Sequence, residues 1–275
     1  PGLGTYSWVV VIASLVLTFC VAAVIIGGVK RIASVSQVVV PFMAVAYIIA
    51  AVLILILNYK AIPGAVVEIV QSAFGMRAVA GGALGAMMLA MQKGIARGIF
   101  SNEAGIGSAP IAAAAVQTTE PVRQGLVSML GTVIDTIIIC TMTGLSIVIT
   151  GSWDKGLEGV AVTTRAFQVG LPFPGRVSAF ILMLCLVFFA FTTILGWDYY
   201  SERCLDYLTG NNKKVVRTYR WIYIACVFIG PYMTVSAVWT IADIVNGLMA
   251  IPNLIALLAL NGVVVAETKK YFQKF

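Results

Sequence analysis

Five stretches of this sequence contain no Asp, Glu, Lys or Arg and are long enough to cross a lipid bilayer as helices. They are residues 1–29, 32–59, 177–197, 221–242 and 244–266. A helix needs about 20 apolar residues to cross the hydrocarbon core, whereas the mean helix of a soluble protein has only about 11–12 residues. The chain is 60% hydrophobic and only 11% charged, and soluble domains carry about 25% charged residues. We therefore predict an all-α integral membrane protein.

The apolar runs and the charges between them predict about seven spans in a single transmembrane domain, residues 1–275. The predicted spans are 7–29, 34–57, 78–116 with an interruption, 125–150, 177–203, 217–239 and 241–264. Two connecting segments, 62–75 and 152–175, are expected to be partly helical. They are interpreted either as caps or gates of a pathway or as plain interfacial helices.

The basic residues behind the net charge of +7 are concentrated in alternate connections between the predicted spans, which indicates membrane orientation. If the connection at Lys30 and Arg31 is cytoplasmic, most basic residues of the connections fall on the cytoplasmic side. That side then holds Lys30, Arg31, Arg123, Arg203, Lys213, Lys214, Arg217, Arg220, Lys269, Lys270 and Lys274, against Lys60, Arg77, Lys155, Arg165 and Arg176 opposite. This bias follows the positive-inside rule. The expected surroundings are thus a lipid bilayer, and no nucleic-acid partner is expected.

The residue types needed for several kinds of catalysis are missing from the sequence. It contains no histidine, and its five cysteines form no C-x-x-C pair. Haem ligation, zinc sites and histidine proton relays are therefore not expected. A G-x-S-x-G nucleophile motif is also missing. We expect neither an enzyme nor a bound cofactor.

Residues 93–116, KGIARGIFSNEAGIGSAPIAAAAV, are unlike an ordinary spanning helix. Four glycines, Pro110 and a cluster of polar side chains interrupt an apolar region, and unwound backbone survives in a membrane only beside protein or a water-filled cavity. We expect a first half-helix over 78–99, a break over 100–107, and a second half capped by Ser108. Such breaks expose backbone groups that bind ions and zwitterions. The alternative is a glycine-rich helix that packs closely on its neighbours.

The motif GIARGIFSNEAGIGSAPIAAAA in this segment resembles the alanine or glycine:cation symporter family, also called the sodium:alanine symporters. The resemblance continues through VVVPFMAVAYI (38–48), QGLVSMLGTVIDTIIICTMTGLSIVITG (124–151) and FTTILGWDYYSERC (191–204). It implies a leucine-transporter-type fold of two inverted five-helix repeats and sodium symport of alanine or glycine. The seven spans would be core helices four to ten, so the fold would be incomplete.

The resemblance also implies that N-terminal helices of the same polypeptide are missing partners of this chain. The sequence begins at Pro1 rather than at Met, and we expect an extra leading helix and three core helices upstream. In this family the broken first core helix supplies half of the substrate and sodium ligands. The present chain is expected to hold the other half.

The resemblance assigns Phe100, Ser101 and Asn102 to the break of core helix six. Free carbonyls there are expected to accept hydrogen bonds from the substrate ammonium, and the Asn102 amide is expected to orient the substrate. Gly105 would let the backbone approach the ligand closely. Phe100 would limit the size of the substrate side chain, although a purely structural role is an equal alternative.

The resemblance places Thr192 and Thr193 at a sodium site, with Thr193 also near the substrate. Sodium prefers hard oxygen ligands, but a hydroxyl in a spanning helix often bonds back to a carbonyl one turn earlier. Both possibilities stay open. Trp197 follows Thr193 by four residues on the same helix face. It is expected to close the substrate pocket, or else to serve as an interfacial anchor.

Three acidic residues in or near the spans are candidates for ion coupling. Asp135 lies within a span and is kept as a candidate. Asp243 falls at the expected turn between the last two spans and is not favoured. Glu103 is expected to cap the broken helix or to pair with Lys93 or Arg97, rather than to transfer protons.

Sodium-coupled symport of alanine or glycine across the cell membrane of a prokaryote, by alternating access, is the function we predict. Sodium would be a co-transported ligand and not a resident cofactor. A proton-coupled amino-acid permease of the same fold is the first alternative. A channel or a non-transporting membrane scaffold is the second.

Overall fold

The computed structural model describes residues 8–74 and 82–274, and every regular element in them is helical. The α-helices are α1 (Trp8–Ile25), α2 (Val29–Leu57), α3 (Ile62–Ala73), α4 (Gly82–Asn102), α5 (Ala109–Ala113), α6 (Pro121–Thr132), α7 (Thr141–Ile149), α8 (Val160–Gly170), α9 (Gly175–Leu208), α10 (Lys213–Ile229) and α11 (Val235–Phe272). A π-helical segment, Val133–Cys140, joins α6 to α7. Residue 7 of the first predicted span, residues 78–81 of the third and residue 75 of the first connecting segment lie outside the described residues.

Five helices in the described part of the chain are long and apolar enough to cross a membrane. They are Trp8–Ile25, Val29–Leu57, Pro121–Ile149, Gly175–Leu208 and Val235–Phe272. Many of their large apolar side chains are exposed, with Leu258 and Phe19 exposed by 80% and 74%. In water such surfaces would be costly, whereas lipid covers them. The prediction of an all-α membrane protein is confirmed.

The predicted turn near Asp243 is wrong. Helix α10 ends at Ile229, a short 3-10 turn spans Gly230–Tyr232, and α11 begins at Val235. Pro231 has no amide hydrogen to donate, so the helix ends there. Asp243 therefore lies inside α11.

The described helices form two compact units. The first unit contains residues 8–47 and 180–238, and the second contains 48–74, 82–179 and 239–274. Helices α2, α9 and α11 each contribute to both units.

In the first unit, α1 packs along α10, and a small apolar core joins both to α9. Its buried members are Val21, Val24, Ile25, Ile32 and Leu195. The Tyr223 hydroxyl of α10 donates to the Ile194 carbonyl of α9 at 2.8 Å. This bond satisfies a polar group at the edge of the core, as burial requires.

In the second unit, α7 packs against α3 and α8, and α3 also contacts α4. Gly170, the last residue of α8, lies against Ile54 of α2, and a Cβ at this glycine would stand 2.7 Å from the Ile54 Cγ2 atom. This separation is well below an ordinary van der Waals contact. Gly170 is therefore needed for the close approach of α8 to α2.

Gly170→Ala should destabilise the second unit, because the added methyl group overlaps Ile54. Overpacking of this kind costs about 1–3 kcal/mol. We expect a lower melting temperature for the purified protein in detergent, and a smaller effect of Gly170→Ala in an Ile54→Ala background, where the overlapping side chain is absent. Gly144→Ala, in the interior of α7 with open space around it, is the matched control. An unchanged melting temperature in Gly170→Ala would contradict the close packing.

Candidate functional site

Helix α4 ends at Asn102, and α5 begins at Ala109, so the helix is interrupted over residues 103–108. Three residues in the interruption have positive φ: Glu103 (52°), Gly105 (76°) and Gly107 (87°). A positive φ is far from the backbone angles of a right-handed helix, and residues other than glycine rarely adopt it. The helix therefore cannot continue through these residues. The observed interruption begins three residues later than the 100–107 break expected from the sequence.

Side chains from both ends of the interruption and from α11 hold it in place. The Ser108 hydroxyl, fully buried, donates to the Glu103 carboxylate at 2.6 Å. The Asn253 amide of α11 donates to the Gly105 carbonyl at 2.9 Å, and a Cβ at Gly107 would meet the same amide at 3.1 Å. The Gly105 carbonyl thus receives a partner that a continuous helix would have supplied itself.

The structure corrects the roles expected for Ser108 and Glu103. Ser108 precedes α5, but its side chain caps no amide, because the hydroxyl is used by Glu103. Glu103 does not pair with Arg97, which instead forms an ion pair with Asp243. The carboxylate of Glu103 links the two sides of the interruption and so has a structural use.

The last turn of α4 contacts the π-helical segment through two pairs of polar side chains. The Ser101 hydroxyl donates to the Asp135 carboxylate. The Asn102 amide nitrogen donates to the Thr136 hydroxyl at 2.6 Å, and that hydroxyl lies 2.8 Å from the amide oxygen. The Asn102 nitrogen also reaches the Gly98 carbonyl at 3.0 Å. Four polar side chains therefore meet where the helix stops.

The π-helical segment Val133–Cys140 carries two of the four side chains of this cluster. Such segments are rare and occur often at functional sites. Here the segment carries Asp135 and Thr136, two neighbours in sequence, and both bond to α4. The Cys140 sulfur, at the end of the same segment, lies 4.0 Å from the Ser101 hydroxyl.

An aromatic group flanks the polar cluster on α4. Phe100 packs edge-on against Trp239 of α11, with ring centroids 5.2 Å apart. The Arg97 guanidinium lies 4.2 Å from the Trp239 ring centroid and pairs with Asp243. Asp243 is thus neutralised by a neighbouring charge, whereas Asp135 is bonded by a neutral hydroxyl.

The remaining predicted site residues, Thr192, Thr193 and Trp197, belong to α9 in the first unit. The Thr192 hydroxyl bonds back to the Phe188 carbonyl at 2.9 Å, which is the ordinary pattern for a threonine in a spanning helix. Thr193 is exposed. The Trp197 ring packs against Tyr200 at 5.7 Å. The structure therefore groups Phe100, Ser101, Asn102 and Gly105 in the second unit and these three residues in the first.

Two residues that bond to the end of α4 or to its interruption, Thr136 and Asn253, are not among the predicted site residues. Thr136 follows Asp135 directly within an apolar span, and Asn253 is a polar side chain in the charge-free run 244–266. A polar residue at membrane depth needs a partner. A search for the partner of Asn253 is thus a sequence signal that leads to the interruption, where its amide binds the Gly105 carbonyl.

The cluster offers the oxygen atoms that a small hard cation and an ammonium group prefer. It combines one carboxylate, on Asp135, with the hydroxyls of Ser101 and Thr136. The last carbonyls of a helix also lack intrahelical partners. Those of Ser101 and Asn102 receive no hydrogen bond within the described residues. The arrangement can bind a cation beside a zwitterion.

Comparison with known proteins places the chain in one family. A model of the sodium:alanine symporter family matches residues 4–275. An uncharacterized transporter of Haemophilus influenzae is 53% identical over 272 residues, which are 98% of this chain and 59% of that protein. The sodium/alanine symporter AgcS of Methanococcus maripaludis is 47% identical over 264 residues, which are 94% of this chain and 56% of AgcS.

A third relative has a different substrate in its name. The probable sodium/glutamine symporter GlnT of Bacillus subtilis is 39% identical over 258 residues, which are 94% of this chain and 52% of that protein. The chain thus spans little more than half the length of these curated relatives. The family is one of membrane transporters and not of enzymes. With its apolar spanning helices and the family match over nearly its whole length, this chain is a multi-pass cell-membrane protein that belongs to the sodium:alanine symporter family.

Proposed function

We propose that this chain is part of a sodium-coupled symporter that carries a small neutral amino acid, alanine or glycine, by alternating access. Its helices would form core helices four to ten of a leucine-transporter-type inverted-repeat fold. The rest of the natural polypeptide would supply the other helices and the second half of the site.

The observation that carries this proposal is the polar cluster at the end of α4. Ser101 and Asn102 meet Asp135 and Thr136 where an apolar helix is interrupted. So many polar groups in an apolar part of a membrane protein are costly, and an apolar helix end would avoid that cost. Binding a charged ligand gives these groups a use.

The substrate ammonium would bind the free carbonyls of Ser101 and Asn102 at the end of α4. A helix C-terminus carries partial negative charge, which favours a cation there. Gly105 keeps the adjoining backbone free of a side chain. The Asn102 amide, held by Thr136, would orient the substrate.

Sodium would bind the Asp135 carboxylate together with nearby hydroxyl and carbonyl oxygens. A second sodium position at Thr192 and Thr193 rests on the family resemblance alone. There the Thr192 oxygen would offer a lone pair to the ion while its hydrogen stays bonded to the Phe188 carbonyl. The proposed role of Trp197 in closing the substrate pocket rests on the same resemblance.

Alanine and glycine are preferred over larger substrates because of Phe100. Its ring is fixed by Trp239 at the end of α4, beside Ser101 and Asn102. A large ring at that place leaves room for a small side chain only. One relative is named for glutamine, a larger substrate than alanine, and substitution of Phe100 tests whether its ring excludes such a side chain.

Asn102→Ala should abolish most sodium-driven alanine uptake. The test reconstitutes the natural full-length polypeptide in proteoliposomes and measures labelled alanine with and without an inward sodium gradient. A hydrogen bond to a charged group is worth about 1.5–3 kcal/mol, so we expect a loss of roughly tenfold to a hundredfold. Gln124→Ala, which removes an amide bonded to Ser128 within α6, should transport normally.

The same measurement separates the proposed function from its alternatives. Uptake that persists when choline replaces sodium at fixed pH would indicate a proton-coupled permease. Uptake that neither saturates nor accumulates substrate would indicate a channel. No uptake of any small amino acid would leave a membrane scaffold.

Asp135→Asn should raise the sodium concentration needed for half-maximal uptake. The substitution keeps the shape of the side chain but removes the charge that attracts the ion. A loss of about 1.4 kcal/mol corresponds to a tenfold shift, and we expect at least roughly that shift. Asp154→Asn, an exposed acid of the same unit, is the control. Equal sodium dependence in both variants would exclude Asp135 as a ligand.

Phe100→Ala should admit a longer substrate. Unlabelled glutamine should compete poorly with labelled alanine in the wild type and roughly tenfold better in the variant, as expected for about 1.4 kcal/mol of relieved steric exclusion. Phe180→Ala removes an exposed ring of α9 and should leave competition unchanged. If Phe100→Ala loses transport without gaining glutamine competition, Phe100 has only a structural role.

A further inference from the structure

Asp198, in the spanning helix α9 of the first unit, is a fully buried acid whose side chain has no hydrogen-bond partner in the part of the chain that the structure describes. Its relative exposure is 0%, and neither carboxylate oxygen has a hydrogen-bond partner among the described residues. An ionised carboxylate taken out of water without a partner costs many kcal/mol. The group must therefore be neutral in this arrangement or be compensated by something that binds it.

Arg220, the cation whose charge acts on Asp198, offsets the cost of that charge only in part, because its guanidinium is bound to Glu202. Arg220 of α10 binds Glu202, one turn further along α9, with both ends of its guanidinium. The Nε and Nη2 atoms lie 2.6 and 3.0 Å from the two Glu202 oxygens. This bidentate pair is the strongest geometry available to an arginine. Two carboxyl groups, those of Asp198 and Glu202, thus lie near one cation, and its guanidinium binds only Glu202.

The other groups around Asp198 supply no further positive charge. Those that interact with its charge lie on α9 and α10, namely Glu202, Tyr219, Arg220 and Tyr223. The Tyr223 hydroxyl is already donated to the Ile194 carbonyl at 2.8 Å.

The two other helices of this unit also bring no charge to Asp198. Helix α1 contains no charged residue; its titratable Cys20 is exposed, and the buried hydroxyl of Thr18 has no partner among the described residues. The α2 part of the unit places Met43 and Tyr47 against α9, at Thr192 and Phe189. Its charged residues, Lys30 and Arg31, stand in the first turn of α2 and are exposed.

We propose that Asp198 is a proton-binding site of the first unit, separate from the polar cluster at the end of α4. Its carboxyl group holds a proton while α9 and α10 are packed together. A neutral carboxyl avoids both the desolvation cost of the charge and the repulsion from Glu202. The proton passes to water only when water reaches the contact between the two helices.

Infrared spectroscopy tests this assignment directly and needs no transport activity. A protonated carboxyl group has a C=O stretching band that a carboxylate does not have. We expect such a band in the full-length protein in lipid and its loss in Asp198→Asn, which keeps the neutral shape of the group. Asp206→Asn, on the same helix with its carboxylate paired to Arg203 at 2.8 Å, should keep the band at full intensity.

Protein labelled with ¹³C at the aspartate carboxyl provides a second measurement, which works even if Asp198→Asn does not fold. The band should then shift to the lower frequency of the heavier isotope in the wild-type protein. A band that stays in place would belong to a glutamate and would overturn the proposal. So would the lack of any protonated-acid band, since water or sodium bound to an ionised Asp198 would give that result.

The stability of the variants separates a proton site from a hidden ion pair. A neutral Asp198 should tolerate Asn, so the melting temperature of Asp198→Asn should stay near that of the wild type. Glu202→Gln leaves the half-buried Arg220 without its charged partner. This variant should have a clearly lower melting temperature than the wild type, since breaking a buried pair costs about 3–5 kcal/mol. An equal loss in both variants would mean that Asp198 is also a charged partner of Arg220.

Discussion

A backbone group in hydrocarbon has no water to bind, so a spanning helix can be interrupted only where protein encloses the freed backbone or a water-filled cavity adjoins it. In this chain Asn253 of α11 binds the carbonyl of Gly105, and Ser108 binds Glu103 across the gap. These contacts let α4 stop at Asn102. The end of α4 then meets the π-helical segment, and the polar cluster exists because the helix stops there.

In the polar cluster of the second unit, the Asp135 carboxylate has no ion-pair partner among the described residues and keeps its capacity for an ion. Arg97 pairs with Asp243 and lies over Trp239, which satisfies that acid. Asp135 is bonded by the neutral hydroxyl of Ser101. The membership in the sodium:alanine symporter family agrees with a site that has one uncompensated negative charge beside free carbonyls. The first unit follows a different pattern. Arg220 binds Glu202, and the Asp198 carboxyl group has no hydrogen-bond partner among the described residues.

The interruption of α4 could be predicted from sequence because its cause is local. Glycines and polar residues disfavour a helix wherever they cluster in an apolar segment. The exact limits could not be predicted, since Glu103 adopts a positive φ that glycine usually supplies. The bond between Asn253 and Gly105 joins residues 148 apart in sequence, and no local pattern encodes such a pairing. The turn before α11 was predicted between the spans 217–239 and 241–264, but it lies at Gly230–Tyr232. Pro231, which has no amide hydrogen, ends the preceding helix there.

In the candidate site too, local sequence predicts some features and long-range packing determines the others. Ser101 and Asn102 stand out by type and position, but their partners Asp135 and Thr136 depend on how two helices pack. The back-bonded hydroxyl of Thr192 was one of two outcomes that composition alone leaves open. Local chemistry thus identifies candidate ligands, and tertiary packing decides which of them meet.

Reciprocal binding of sodium and alanine tests the central claim, that both ligands bind together at the end of α4. Trp239, which touches Phe100, provides a fluorescence signal in the full-length protein, and calorimetry can check it. Sodium should lower the Kd of alanine, and alanine should lower the Kd of sodium by the same factor, as linkage requires. Alanine binding that is equally tight with and without sodium would contradict the account.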